Sequence, residues 1–260
     1  SDMGERKFAM GGTSNGHVVK YVQFLGRGAH AGSAPHRGIN ALNAATFALQ
    51  AINANRELYQ EEDTVRIHGI MTKGGEAVSA VPAEVKLEWR VRSGTPDAVV
   101  RNSAIVDRCF KAGAMAVGAS VKITNIPGYL PMRHDNTLQE LFRKNATALL
   151  GESSILVMSP RRNRGGSTDM GDLSHIIPAC HPYTSGAVGA GHSKDYVITD
   201  YQNAVVNPAK IMAMTVIDLL ADGGAAGKEV LARHRPAMKK DAYVKFQREQ
   251  AEIVEFSGAG

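Results

Sequence analysis

The sequence predicts a mixed α/β fold of the α+β kind, in which a compact βαββαβ unit precedes a loop-rich second part. Two observations lead to this prediction. Over residues 17–131 the hydrophobic spacing switches between the two-residue period of strands and the 3.6-residue period of helices, in the order strand–helix–strand–strand–helix–strand. From residue 132 onward, helical patterns flank a stretch at 161–195 that is dense in Gly, His and Asp. The first pattern is typical of the split βαβ, or ferredoxin-like, unit.

Each element of the first part has its own signal. The clearest is a strand in which apolar residues at 85, 87, 89 and 91 alternate with charged residues at 86, 88, 90 and 92, which predicts one buried and one polar face. Thr95-Pro96 predicts a helix start, with a Thr cap followed by Pro in the first turn. The other predicted elements are a strand at 17–25, a helix from Ile39 to Ile52, a strand at 64–70 and a strand at 121–123. Both helices should cover one face of the sheet and leave the other open.

The flanking segments predict less regular structure. Residues 1–16 are poor in apolar side chains and are expected to be a tail or hinge. In residues 132–260, Asp135 or Asn136 is expected to cap a helix and residues 155–158 to form a short strand. A helix from Asn207 should stop at the paired glycines 223–224. The charged tail from Lys228 is expected to be helical and to fray at 257–260.

Composition favours a soluble globular protein. The 260 residues are 43% hydrophobic and 21% charged, an ordinary balance. Apolar runs stay short of the roughly 18 residues of a membrane span, and no signal segment is evident, so we expect no membrane partner. Cys109 and Cys180 fit no metal or redox spacing, which predicts reduced thiols in a cytoplasmic protein.

The basic charge raises the question of nucleic acid. The net charge is +5 and the pI about 9.2. The densest basic stretch, 161–164, has no interleaved aromatic residue, whereas nucleic-acid modules usually combine charge with stacking residues or a reading helix. We therefore expect no nucleic-acid partner, and interpret the charge as a basic rim that attracts an anionic substrate. A nucleic-acid-binding protein would instead show salt-dependent retention on DNA.

Two glycine-containing segments could bind or polarise a substrate. Residues 26–35 place His30 among small residues, which leave the imidazole accessible and let a ligand approach the backbone. Residues 165–172 place Ser167 and Asp169 after flexible glycines. A surface-loop histidine and an ordinary turn are the alternatives.

A third segment could bind a metal. Residues 186–196 run through several glycines to His192, and a neutral imidazole is a frequent zinc ligand. Gly191, directly before it, is a candidate substrate-binding residue because it lets a ligand approach the backbone. The alternative is again a surface histidine.

Together and in this order, the three segments resemble the M20 family of metallopeptidases and amidohydrolases. The first is similar to the family's lid motif, Gly-x-(Gly/Ala)-x-His-(Ala/Gly)-x-x-Pro followed by Gly-x-Asn-Ala, here residues 38–41. The second, Ser-Thr-Asp-Met-Gly-Asp at 167–172, is closest to the branch with p-aminobenzoyl-glutamate hydrolase subunits and aminoacylase-like enzymes. The third looks like the family's last metal-binding histidine. The resemblance implies a dimerisation (lid) domain at 17–131 and the C-terminal part of an α/β zinc-hydrolase catalytic domain at 132–260.

The resemblance also implies roles for single residues. His30 would be the lid histidine, which in the family reaches across the dimer and polarises the scissile carbonyl. His192 would be a metal ligand, and Ser167 and Asp169 would line the site. Arg92 resembles the arginine that holds a substrate carboxylate, with a solvated charge on the strand's polar face as its equal alternative.

One substrate-binding position departs from the family pattern. Ser79 falls where the family often has an asparagine, and it offers a shorter hydroxyl in place of an amide.

The implied metal site is incomplete. A two-metal hydrolase needs about five protein ligands and a general base. Of these groups, the resemblance identifies one ligand in this chain, His192, and no general base. Glu61-Glu62 lies in a predicted lid connection and is interpreted as solvated charge. His134-Asp135 lacks the intervening residue of the family's His-x-Asp pair. Without the rest of the catalytic domain, residues 132–260 should expose apolar surface.

The sequence thus predicts a metal-dependent amidohydrolase or peptidase that hydrolyses an amide bond of an N-acyl amino acid or small peptide. Two Zn²⁺ ions, or Mn²⁺ or Co²⁺, would activate the water, and the lid would form a homodimer. This chain would lack the N-terminal metal-binding segment. The alternative is a non-catalytic dimerisation and substrate-binding module, inactive as an isolated chain.

Overall fold

A computed structural model of the chain describes residues 6–259. The strands are β1 (Phe8–Thr13), β2 (Gly16–Leu25), β3 (Arg66–Lys73), β4 (Glu84–Ser93), β5 (Ser120–Pro127), β6 (Ile155–Asn163), β7 (Tyr183–Thr184), β8 (Ala187–Val188), β9 (Val197–Ile198) and β10 (Glu252–Ser257). The helices are α1 (Ala41–Ala54), α2 (Pro96–Met115), α3 (Asn136–Leu150), α4 (Met170–Ser174), α5 (Asn207–Arg233) and α6 (Lys240–Gln250).

The chain divides into two compact units. The lid unit comprises Ser14–Pro131, Gly165–Thr168 and the chain from Lys240 onward. The flanking unit comprises the chain up to Thr13, Met132–Arg164 and Asp169–Lys239.

The lid unit has the predicted ferredoxin-like fold. Its sheet has the strand order β10-β5-β2-β4-β3, and all neighbouring strands are antiparallel. Without β10 this is the βαββαβ order in which the first and third strands lie in the centre. The ten-residue register between β2 and β4 runs from Gly16 opposite Ser93 to Leu25 opposite Glu84.

Both lid helices pack on one face of this sheet, as predicted. The core joins the inward residues of β2, β4 and β5 to the buried faces of α1 and α2. The deepest residues of α1 are alanines at 41, 44, 45 and 48, whereas the larger Leu42 and Leu49 are only partly buried. The reason is close helix packing: a Cβ added at Gly113 of α2 would lie 2.4 Å from the Ala44 carbonyl oxygen, so only small side chains fit between the helices.

A fully buried lysine lies beneath α2. The Lys20 ammonium donates to Asp107 Oδ1 at 2.6 Å, Ser103 Oγ at 2.7 Å and Asn125 Oδ1 at 2.8 Å. These three bonds use all its donors. Burial lowers the pKa of Lys20, and the charge of Asp107 partly offsets this. The network ties β2 to α2 and β5.

Two terminal predictions were wrong. Residues 8–13 are not a tail, because β1 pairs in parallel with β6 and its apolar side chains Phe8 and Met10 are buried. Residues 252–257, expected to belong to a helical tail, instead form β10, which pairs with β5 over six residues and covers that edge of the lid sheet. Both strands are short, and their apolar or alternating patterns were not recognised in the sequence. Residues 1–5 and 260 lie outside the described residues.

The flanking unit is built on a three-stranded sheet of order β6-β1-β7. Phe8 and Met10 of β1 pack with Phe142 and Ala146 of α3 and with Ile211 of α5. Asp135 caps α3 by accepting from the Leu138 N–H.

Helix α5 leaves much of its apolar surface exposed. Ile211 and Thr215 are buried, whereas other apolar side chains are more than half exposed, namely Met212, Val216, Ile217 and Leu220. The helical span Gln202–Arg233 is long and apolar enough to cross a membrane by length and composition, and 17% of its apolar 18-residue stretch is buried. This differs from the sequence expectation, although the span is interrupted by non-helical residues at 221–224. Core helices of soluble proteins pass the same test.

Replacing Lys20 by Met should destabilise the lid unit by about 3 kcal/mol, because it leaves the partly buried Asp107 carboxylate unpaired. Urea unfolding would measure the change. Lys122→Met is the matched control, since its ion pair with Glu255 joins two exposed side chains and should contribute about 0–1 kcal/mol. Equal effects of the two changes would refute the role given to Lys20.

Candidate functional site

The lid loop fixes the orientation of His30. Its Nδ1 accepts hydrogen bonds from the backbone N–H groups of Gly32 and Ser33, each at 3.1 Å. A neutral imidazole that accepts at Nδ1 carries its proton on Nε2. The side chain is exposed. His30 therefore presents an Nε2–H donor to solvent or to a ligand.

The structure brings Ser79 next to this histidine. The Ala31 N–H donates to the Ser79 carbonyl oxygen at 2.8 Å, and the Val81 N–H donates to the Ala29 carbonyl oxygen at 2.9 Å. These bonds flank an isolated bridge between His30 and Ala80. Two segments about fifty residues apart in sequence thus form one rim, on which Ser79 is exposed.

Arg92 and Ser167, both predicted as substrate-binding residues, are also in contact. The Arg92 guanidinium donates through Nη1 to Ser167 Oγ at 2.6 Å and through Nε to His68 Nε2 at 3.2 Å. His68 accepts this bond and therefore carries its own proton on Nδ1. Arg92 is half-buried, and its contacts hold it at the end of β4.

Arg92 lies within a cluster of cationic and imidazole side chains on the open face of the lid sheet. We define this open-face cluster as His17, His68, Arg90 and Arg92. Across the sheet, His17 lies opposite Arg92 and His68 opposite Arg90. The cluster was missed in the sequence, because strand alternation places Arg90 and Arg92 on one face but cannot show which histidines lie beside them.

The cluster is electrostatically strained. Burial, followed by the charges of Arg90 and Arg92, lowers the pKa of His17 to about 4. Burial and the same arginines lower the pKa of His68. Burial and Arg90 lower the pKa of Arg92. Like charges held together in this way favour the binding of an anion.

His17 is the most buried member of the cluster. Its ring packs edge-on against Tyr129, with centroids 5.1 Å apart. Its Nδ1 has no hydrogen-bond partner among residues 6–259.

The other predicted site residues lie in the flanking unit. Asp169 is exposed at the start of α4, and its side chain does not cap that helix. Gly191 and His192 are exposed in the loop between β8 and β9. His192 has a φ of 65°, a left-handed conformation that is uncommon for a residue with a side chain and is enriched at functional sites.

The described residues do not fit a complete metal site. Across residues 6–259, no group of three or more His, Cys, Asp or Glu side chains is placed to hold a metal ion. His192 therefore does not form a zinc centre with other side chains of this part of the chain.

Comparison with known proteins agrees with the ferredoxin-like fold and with the lid loop. The peptidase dimerisation domain of the M20 family matches residues 8–112. This region of the chain is therefore similar to a peptidase dimerisation domain.

Curated relatives are about twice as long as the region they share with this chain. The mouse Xaa-Arg dipeptidase is 28% identical over 209 residues, covering 76% of this chain and 47% of the relative. The human Xaa-Arg dipeptidase is 28% identical over 205 residues, covering 76% of this chain and 46% of the relative. The chain thus spans about half the length of these relatives.

Solved structures share the fold at low identity. A putative aminohydrolase from methicillin-resistant Staphylococcus aureus has a TM-score of 0.64 and 19% identity, covering 85% of this chain and 57% of its own. An aminobenzoyl-glutamate utilization protein from Klebsiella pneumoniae has a TM-score of 0.54 and 20% identity, covering 65% of this chain and 43% of its own.

Acid should destabilise the lid unit through His17. Its pKa is about 4 in the folded chain against an ordinary 6.5, so between these values the unfolded chain binds more protons and the free energy of unfolding falls as the pH drops. His17→Phe keeps the aromatic contact with Tyr129 but cannot titrate. Relative to this variant, the wild type should lose about 2–3 kcal/mol between pH 7 and pH 4.

Urea unfolding at a series of pH values would measure this loss. The exposed His36 provides the control, and His36→Phe should follow the wild-type pH profile. Parallel profiles for the wild type and His17→Phe would refute the assignment.

Proposed function

We propose that this chain forms the substrate-gripping and dimer-forming part of a metal-dependent amidohydrolase that cleaves an amide bond of an N-acyl amino acid or small peptide. The observation that carries the proposal is the orientation of His30, whose free Nε2–H lies on a rim shared with Ser79. A fixed donor of this kind suits the oxygen of a scissile carbonyl, where negative charge develops during attack.

The carboxylate of such a substrate requires a cationic partner. Arg92 is oriented by Ser167 and His68, and a guanidinium binds a carboxylate in a two-pronged geometry. The roles of His30 and Arg92 are complementary: one polarises the amide and the other holds the acid group.

We also propose that His192 would be one ligand of two Zn²⁺ ions, or of Mn²⁺ or Co²⁺, which would supply an activated water when bound. Support comes from the M20 family match and from the exposed position of His192. The other ligands would lie outside these 260 residues, since the chain covers only 47% of the mouse relative. Asp169 and Gly191 would line the site near the metals.

The names of the relatives suggest a different substrate, a dipeptide that ends in arginine. The open-face cluster disfavours this for the present chain, because Arg90 and Arg92 would repel a cationic side chain placed beside them. A second candidate function is a non-catalytic dimerisation and binding module, which the lack of a metal-ligand group within residues 6–259 favours. A cytoplasmic location is proposed because both cysteines are free thiols.

Metal analysis and an N-acyl amino acid hydrolysis assay, run on these 260 residues and on the complete protein, separate the two functions. We expect turnover and stoichiometric metal only in the complete protein. Turnover by the 260 residues alone would refute the proposed missing ligands, and no turnover in either would favour the binding module.

His30→Phe should lower kcat of the complete enzyme about 10²–10³-fold, because it removes a donor to the developing oxyanion. His36→Phe, in the same loop but without these contacts, is the matched control. Steady-state kinetics with an N-acyl amino acid would measure both, and an unchanged kcat for His30→Phe would exclude the proposed role. If His30 acts on the partner subunit's site, mixing inactive His30→Phe and His192→Ala subunits should restore activity.

Self-association is proposed to occur through β3. Within residues 6–259 this strand pairs with β4 and with no other strand. Its uncharged run Gly69–Thr72 includes Ile70, which is 61% exposed. The opposite edge, β10, carries Glu252 and Glu255, and charged edge strands resist pairing.

Ile70→Lys should therefore weaken the dimer at least tenfold, because it places a charge beside the proposed pairing edge. Ile253→Lys on β10 is a closely matched control, since Ile253 is 60% exposed, and should leave the dimer intact. Sedimentation velocity over a concentration series would measure both. Weakening by Ile253→Lys alone would place the interface at the other edge.

A further inference from the structure

We propose that Arg90, together with His68, forms a second anion subsite beside Arg92, so that the preferred substrate carries two carboxylates on its amino-acid side, as in an N-acyl glutamate or aspartate. The inference rests on the proposed function, in which Arg92 binds the first carboxylate. It makes Arg90 a specificity-determining residue for the second.

The strand geometry places the two guanidinium groups on one surface. Arg90 and Arg92 are two residues apart on β4, so both project from the open face and their Cα atoms lie roughly 7 Å apart. Val91, between the two arginines, and Trp89, directly before Arg90, pack into the core on the other face. The sheet register adds His68 opposite Arg90 and His17 opposite Arg92.

The cluster has no negative partner within the described residues. Only burial and positive or imidazole neighbours shift the pKa values of His17, His68 and Arg92. The next open-face residue along β4 is Glu88, and it forms no ion pair with Arg90 in residues 6–259. The structure therefore gathers positive charge that its own side chains do not neutralise.

The two arginines also differ in how many of their hydrogen-bond donors have partners. Arg92 is occupied by Ser167 and His68. Arg90 is half-buried and makes no side-chain hydrogen bond within the described part of the chain. A half-buried guanidinium with free donors beside a second cation is well placed to receive a carboxylate.

One carboxylate does not satisfy this arrangement. A carboxylate bound at Arg92 would leave Arg90 without an anionic partner beside His68. The repulsion between the two arginines would then be only partly relieved. A second carboxylate on the same amino acid would supply the missing charge without a second molecule. A neutral amide in its place would offer a weaker hydrogen bond, and a cationic side chain would be repelled.

The test measures binding by the 260-residue chain, so that it does not depend on turnover. N-acetyl-L-glutamate and N-acetyl-L-glutamine differ by one carboxylate and nearly match in shape. We expect the wild type to prefer the glutamate ligand about tenfold, as measured by heteronuclear NMR titration, because a charge-assisted hydrogen bond contributes more than a neutral one.

Four variants test which arginine causes the preference for the glutamate ligand. Arg90→Gln should bring the ratio of the two affinities close to one, by weakening the glutamate ligand much more than the glutamine ligand, and Arg90→Lys should retain most of the preference. Arg108→Gln is the matched control for net charge, because Arg108 is an exposed arginine on α2, which packs on the opposite face of the sheet, and its replacement removes the same charge. Arg92→Gln should weaken both ligands equally. Circular dichroism would confirm that each variant is folded.

The outcomes separate the two claims. An unchanged preference in Arg90→Gln, with both ligands weakened by Arg92→Gln, would overturn the second subsite and keep the proposed carboxylate role of Arg92. A preference lost in Arg90→Gln, with no effect of Arg92→Gln, would support the subsite and overturn that role. A preference lost equally in Arg108→Gln would mean that net charge alone causes the preference, and would overturn the subsite. So would the absence of saturable binding by the wild type at millimolar ligand.

Discussion

The register between β2 and β4 is the constraint on which the lid depends. Its ten pairs, from Gly16 opposite Ser93 to Leu25 opposite Glu84, send Val18, Val22 and Phe24 into the core and leave the alternate side chains on the open face. Because side chains alternate along a strand, a slip of one residue would exchange the two faces. The core and the open-face cluster are thus consequences of the same pairing.

The two faces of this sheet treat positive charge in opposite ways. Beneath α2, Lys20 is completely buried and each of its donors has a partner, Asp107 among them. A buried ammonium without such partners would cost several kcal/mol in lost hydration. On the open face, Arg90 and Arg92 remain partly hydrated, so their mutual repulsion is tolerable without a carboxylate of the described chain. Charge is neutralised where the fold requires it and left available where a ligand can approach.

Sequence reasoning found the fold of the lid because its information is local. Alternation marked β4, the Thr95-Pro96 pair marked the start of α2, and the helical period marked α1, although its most buried residues proved to be alanines. The same reasoning overlooked β1 and β10, because each is a six-residue strand whose stability comes from partners distant in sequence, β6 and β5. It overlooked His17 and His68 for the same reason.

The sequence by itself determined the ferredoxin-like order of elements, the identity of the lid loop around His30 and the candidates Arg92 and Ser167. The order of elements follows from hydrophobic period and glycine placement, which act over a few neighbouring positions. The lid loop, Arg92 and Ser167 were assigned through the resemblance of short motifs to the M20 family. Only the tertiary structure decided that Ser79 shares a rim with His30, that Arg92 bonds Ser167, and that Arg90 stands among cations without a carboxylate partner in residues 6–259. The physical reason is that hydrogen bonds and charge interactions depend on distances between atoms, and the register of paired strands sets those distances between residues far apart in the chain.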